Sequence, residues 1–220
     1  MTPDVAVCIP TFPEREHLLR RAVESVSVQT YQPIDVCVAS DTDAEGAGPT
    51  RNRAWQLAGT DWIAFLDDDD ELLPNHVELL RRCADETGAD LVYPWFTIVD
   101  NAGNDITRND PLRIRVGNRL ITPFGLPFGD LHREELRTRN NFIPITVLVR
   151  RTLLEEVGGF PTLNSPEWPE NCCEDWALWR KLLDVGATFA HVPERTWRWH
   201  WHGGNTSGRP WKSAGSRRRR

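Results

Sequence analysis

Trp62-Ile63-Ala64-Phe65-Leu66-Asp67-Asp68-Asp69-Asp70 is the stretch from which the fold can be read. An unbroken apolar run that switches abruptly to carboxylates fits a short strand buried on both faces, whose end opens onto a polar site. Gly59 stops whatever precedes it, and Pro74 opens a helix that runs to about Thr87, with Leu79, Leu80 and Cys83 facing inward.

Upstream, Val5-Ala6-Val7-Cys8-Ile9 is a second buried run, ended by Pro10. Leu19, Ala22, Val23 and Val26 then form a helical stripe. Val36-Cys37-Val38-Ala39 reads as another buried strand, residues 40–49 as a polar Gly-rich loop, and Thr50 as the cap of a helix through Ala58. Leu91-Val92-Tyr93 begins a further strand. Strands alternating with helices predict an α/β fold, a mostly parallel central sheet flanked by helices in one domain. Ligands in such sheets bind beyond the carboxyl ends of the strands. That rule selects residues 10–14, 40–48 and 67–70.

The pattern weakens over residues 101–141, which read as loops and a hairpin in the manner of a lid. Ile145-Thr146-Val147-Leu148-Val149 is again a strand; a short helix from Thr152 ends at Gly158-Gly159, and a longer one from Glu174 ends at Gly186. Residues 188–191 and 197–202 read as two final strands.

Adjacent carboxylates repel, so the Asp run needs a compensating charge. In extended chain Asp67 and Asp69 project to one side. Such a pair suits Mg²⁺ or Mn²⁺, which take hard oxygen ligands and often share them with substrate phosphates. The plainer alternative is a solvated acidic turn in which Asp70 or Glu71 caps the next helix. A cap needs one carboxylate, which favours the metal.

The net charge of -6 does not describe a nucleic-acid-binding surface. Arg217-Arg218-Arg219-Arg220 reads as a solvated basic tail, within a mobile segment 206–220 that can add affinity for a polyanion. Cys8, Cys37, Cys83, Cys172 and Cys173 offer no C-x-x-C pair, and their odd number suits a reducing compartment. Cys8 and Cys37 read as small hydrophobes of central strands. Thr2-Pro3-Asp4 does not open a signal peptide and no apolar run is long enough to span a membrane, so the expected location is cytoplasmic. Trp197-Arg198-Trp199-His200-Trp201-His202 alternates strictly: as a strand it turns its Trp residues to one face and Arg198, His200 and His202 to the other. The Trp face reads as core sooner than as a sugar platform; Trp168, between prolines, is the better candidate for stacking on a sugar or acceptor.

Phe65-Leu66-Asp67-Asp68-Asp69-Asp70 with Pro74 resembles the D-x-D segment of family 2 glycosyltransferases, which have the GT-A fold, a Rossmann-like fold for nucleotide-diphospho-sugar transferases. Other pieces agree in order: Ile9-Pro10-Thr11-Phe12, Gln29-Thr30-Tyr31, Thr50-Arg51-Asn52-Arg53-Ala54, Glu174-Asp175 with Leu178 and Arg180, and His202-Gly203-Gly204 with Ser207. Val38-Ala39-Ser40-Asp41 stands where the family has V-D-D, so one Asp is replaced.

The resemblance implies a metal-dependent inverting transfer of a sugar from a nucleoside-diphosphate sugar, UDP foremost, to a hydroxyl acceptor. That acceptor is a protein, a glycan, a small molecule or a modified nucleic acid. Residues 1–100 would form the donor half and 101–205 the acceptor and catalytic half. Pro10, Thr11, Glu14 and Asp41 would surround the nucleotide, with Asp43 the rival to Asp41 and a plain turn role the rival for Thr11. Arg51 would reach a phosphate or lie on a helix surface. Asp67 and Asp68 would lie at the diphosphate. Asp67, Asp69 and His202 would hold Mn²⁺ or Mg²⁺, with His200 the alternative imidazole. Asp175 would be the general base, or Glu174 beside it, against the simpler role of helix first-turn acids. A sugar-phosphate nucleotidyltransferase is the competing enzyme class, disfavoured because residues 10–15 lack the Gly-rich loop that cradles a triphosphate. A non-catalytic sugar-nucleotide-binding protein is the third reading.

Overall fold

The computed structural model describes residues 2–107, 114–116, 119–121, 128–138, 141–162 and 173–202. Trp168, Cys172, Gly203, Gly204, Ser207 and the terminal arginines lie outside them.

A seven-stranded sheet forms the centre, in the order β2-β1-β3-β8-β5-β9-β4. Its strands are β1 (Val5–Thr11), β2 (Ile34–Ser40), β3 (Trp62–Phe65), β4 (Glu71–Leu72), β5 (Leu91–Val99), β8 (Leu148–Arg150) and β9 (Phe189–His200). A separate hairpin pairs β6 (Ile114–Val116) with β7 (Arg119–Ile121). β1 runs parallel to both β2 and β3, and β5 parallel to β9. β8 inserts antiparallel between β3 and β5, and β4 is antiparallel to β9, so the sheet is mixed.

The period of two in β1 sorts the core into two layers. Ala6 and Cys8 face α2 (Ala47–Leu57), α4 (Asp130–Thr138), α5 (Arg151–Val157) and α6 (Glu174–Asp184), through Trp55, Leu136, Leu154 and Trp179. Val5, Val7 and Ile9 face α1 (Glu16–Ser27) and α3 (His76–Thr87), through Ala22, Val26, Val77 and Leu80. Both faces of β1 are covered, which is why its sequence is continuously apolar.

Several expectations shift. β1 does not stop at Pro10 but continues to Thr11. Thr11 O accepts from Asp41 N (2.8 Å) and Cys8 O from Leu66 N (3.1 Å). Pro10 therefore turns its missing N–H to the β3 side, beyond the last β1–β3 pair at Cys8 and Phe65, where no ladder bond is needed. β2 is an edge strand and not a central one: Cys37 and Ala39 are buried against α2, while Val36 and Val38 are exposed. α2 begins at Ala47, and Thr50 lies inside it, its hydroxyl donating to Gly46 O (2.8 Å). Within 101–141 the hairpin is present, and α4 was not foreseen. The two expected final strands are one, β9. Pro193 and Glu194, between the two expected strands, are absorbed as an exposed irregularity opposite Pro94 and Trp95.

Candidate functional site

β3 ends against the middle of β1, and the chain then turns, Asp70 N donating to Asp67 O at 3.1 Å. This turn distributes the Asp run. Carboxylate oxygens of Asp67, Asp69 and Asp70 lie within 4.8 Å of one another. Asp68 points away to β1, accepting from the Thr11 hydroxyl (2.7 Å) and from Arg15 (2.6 Å). Asp70 accepts from the backbone N–H of His200 (3.0 Å), which ties the turn to β9. Burial first, then the charges of Asp69 and Asp67, push Asp70 well above the usual carboxylate range. Asp67 and Asp68 are raised as well, again by burial first, against the pull of Arg51 and of Thr11 and Arg15 respectively.

Arg51 lies on α2 and is buried, not a surface helix residue. Its guanidinium donates to Asp67 Oδ1 and to Glu174 Oε1, each at 2.7 Å, and packs over the Phe160 ring. It thereby joins the end of β3 to the first turn of α6. Gly159 (φ 70°) lets the chain after α5 pass close to α2: Asn52 Oδ1 accepts from Phe160 N (2.9 Å) and from Trp55 Nε1 (3.0 Å).

The alternation at the end of β9 holds. Trp197, Trp199 and Trp201 pack in the core layer of α1 and α3, with Phe96 against Trp197. Arg198 and His200 meet Glu71 (3.5 and 3.0 Å), and His202 Nε2 lies 3.0 Å from Asp69 Oδ2. His202 therefore joins the acidic cluster, while His200 serves Glu71. Burial lowers the His200 imidazole, against the pull of the Glu71 hydrogen bond.

Glu174 and Asp175 open α6. Burial raises Glu174, but the charge and hydrogen bonds of Arg51 outweigh it, and the group ends below its usual value. Asp175 goes the other way: burial, then the charge of Glu174, push it up to about 6. Two neighbouring carboxyls with opposite shifts are a mark of divided acid–base roles. Asp175 Oδ1 accepts from Trp176 N (2.6 Å). Cys173, exposed at the helix start, keeps its thiol toward Asp175.

Part of this set lines a cavity of about 860 Å³, with His202 and Glu71 outside its lining. Pro10, Thr11, Asp41, Arg51, the Asp67–Asp70 turn, Glu174 and Asp175 all line it. Asp41, buried, spends its carboxylate on Glu45 N (3.0 Å) and Gly46 N (2.8 Å), fixing the loop into α2; Asp43 is exposed. Glu14 does not line the cavity: it is exposed on the 3-10 turn Pro13–Arg15. The residue of that turn that does reach the cavity is Arg15, which the sequence did not single out, nor did it single out Asn141 or Cys173 as site residues. Asp70, selected with the Asp run, also lines the cavity. Arg15 sits at a helix start like any surface arginine, and only the tertiary fold reveals its partners.

The donor set fits a divalent cation: clustered hard oxygens and one imidazole within reach of Asp69.

A model for glycosyl transferase family 2 matches residues 41–158. Among curated relatives, the UDP-Glc:alpha-D-GlcNAc-diphosphoundecaprenol beta-1,3-glucosyltransferase WfgD of Escherichia coli is 25% identical over 170 residues, 60% of this chain and 66% of that protein. The GalNAc(5)-diNAcBac-PP-undecaprenol beta-1,3-glucosyltransferase of Campylobacter jejuni is 26% identical over 110 residues, 38% of this chain and 35% of that protein. The chain thus spans only part of the length of these relatives. Among solved structures, S. aureus TarS 1–349 in complex with UDP-GlcNAc superposes with a TM-score of 0.66 at 17% identity, over 92% of this chain and 60% of that one. The TarS complex with UDP gives 0.65, over 90% and 60%. These structures carry the GT-A fold, and no helix among the described residues is long and apolar enough to cross a membrane. The family match, across more than half of its residues, establishes that the chain belongs to glycosyl transferase family 2.

Proposed function

We propose that this chain transfers a sugar from a nucleoside-diphosphate sugar to a hydroxyl acceptor, with inversion and with the help of a divalent cation. The observation that carries the reading is Arg51, which at 2.7 Å to each of Asp67 and Glu174 puts the acidic cluster and the start of α6 on the walls of one cavity. A base on one wall and, on the other, a cation site to neutralise the leaving group are what a displacement at a sugar carbon requires.

Asp67, Asp69 and His202 would hold the cation, with Asp70 beside them. A bound Mn²⁺ or Mg²⁺ supplies Lewis-acid neutralisation of the leaving diphosphate. The remaining work belongs to side chains. Thr11 and Pro10 border the nucleotide, and Asp41 holds the loop into α2 in place. Asp175 takes the acceptor hydroxyl's proton, and the freed oxygen bonds to the sugar carbon as the diphosphate departs from the opposite face. The Glu174 charge raises the basicity of Asp175, while Arg51 keeps Glu174 ionised. The donor half comprises residues 1–100 and the acceptor half 101–205. UDP is the nucleotide that relatives name, and a glycan hydroxyl is the acceptor class their names favour.

The test is a panel of UDP-, GDP- and dTDP-sugars incubated with Mn²⁺. The expected result is slow release of nucleoside diphosphate from a UDP-sugar that is lost in Asp69→Asn. Pyrophosphate release from a nucleoside triphosphate plus sugar phosphate would assign a nucleotidyltransferase instead.

A further inference from the structure

Arg15 bridges the carboxylates that a cation needs. Its guanidinium lies 2.6 Å from Asp68 Oδ1 and 3.2 Å from Asp69 Oδ2. The same Asp69 oxygen faces His202 Nε2 at 3.0 Å. A divalent ion ligated by that oxygen meets a guanidinium already there, and two cations cannot share it without strong repulsion.

Arg15 and Arg51 are held very differently. The Arg51 side chain is 5% exposed and pinned at both ends, whereas that of Arg15 is 31% exposed and reaches in from the short turn Pro13–Arg15. Arg21 is anchored elsewhere, to the backbone O of Asp69 (2.5 Å) and toward Glu71 (3.7 Å). If Arg15 withdraws, Asp68 keeps its hydrogen bond from the Thr11 hydroxyl. Arg15 also lines the cavity, and a planar guanidinium suits bidentate pairing with phosphate.

Resting on the metal-site reading above, we infer that Arg15 is the resident counter-cation of the acidic cluster, displaced by the divalent ion and then paired with the donor's diphosphate, so that ion and nucleotide load together. The bare ion binds weakly because it must evict Arg15. The nucleotide repays that eviction by giving the guanidinium a new anion.

The experiment titrates Mn²⁺ by the EPR signal of the free ion, with and without UDP, on the wild type, Arg15→Gln and Arg15→Lys, each checked by melting. Without UDP, Arg15→Gln should bind Mn²⁺ about tenfold more tightly than the wild type, while the gain that UDP brings should shrink by about the same factor. Arg15→Lys keeps the charge, so its bare Mn²⁺ affinity should stay low and its UDP gain should fall for want of the bidentate fork. A purely structural arginine would not raise metal affinity on removal. Unchanged or weaker Mn²⁺ binding by Arg15→Gln overturns the inference and leaves the proposed function standing. Should that variant not fold, an Arg15→Lys protein with undiminished UDP gain overturns it. A wild type that binds neither Mn²⁺ nor UDP with Mn²⁺ overturns the metal-site reading and the inference together.

Discussion

Replacing Arg51 by Met should destabilise the protein strongly, in a way that depends on pH. The guanidinium is buried and makes 2.7 Å pairs to Asp67 and Glu174, whose side chains are 30% and 25% exposed. Removing one partner of a buried ion pair costs about 3–5 kcal/mol, because it strands the other charge. Water reaches both carboxylates here, so the low end, about 3 kcal/mol for the pair together, is the expectation at pH 7. For a chain of this size that is a fall of about 6–12 °C in melting temperature. Glu174 is held below its usual value in the folded wild type, so its pair stabilises above that usual value and is lost as pH falls through the depressed one. The gap between wild type and variant should therefore narrow below about pH 4. Melting by circular dichroism from pH 7 to pH 3.5 measures this. A gap under about 1 kcal/mol at pH 7, or one that does not change with pH, would refute the bridging role.

Other outcomes follow from the same geometry. Asp175→Asn should keep UDP binding and lower transfer by about 10²–10⁴-fold, measured by product formation and calorimetry; normal transfer would remove Asp175 as the base. Because the ionised form of Asp175 is the active one and burial and Glu174 push it up to about 6, the transfer rate should climb to a plateau above about pH 6. In Glu174→Gln that inflection should move to lower pH, and a fixed inflection would assign it to another group. Gly159→Ala, at a positive φ where an added Cβ would press on Asn52 Oδ1 and lie 3.0 Å from Trp55 Nε1, should cost about 2 kcal/mol in a denaturant melt.

Much of this was legible in the sequence wherever one local rule governed the element. β1 and β3 are buried on both faces, so their apolar runs announce them, and the amphipathic stripe of α1 and the glycine after α5 did likewise. β2 misled because Val36 and Val38 are as apolar as core residues although they lie at the sheet edge. β4 is too short to carry a period, and α4 is largely polar, with Leu136 its main core contact. In the site, motif order and alternation are what single out Asp67, Asp69, Glu174, Asp175 and His202 in the sequence. The ion pairs of Arg51 and Arg15 carry no such signal, since each depends on partners many residues away. No periodicity encodes an ion pair between α2 and α6.

The proposed transfer requires a cation held by the carboxylates after β3 and grasped in turn by the nucleotide. Calorimetric titration of UDP into the wild type and Asp69→Asn, with Mn²⁺ and with EDTA, reads that link directly. The prediction is that Mn²⁺ tightens UDP binding at least tenfold in the wild type, about 1.4 kcal/mol, and hardly at all in Asp69→Asn. Equal UDP affinity in Mn²⁺ and in EDTA would contradict it.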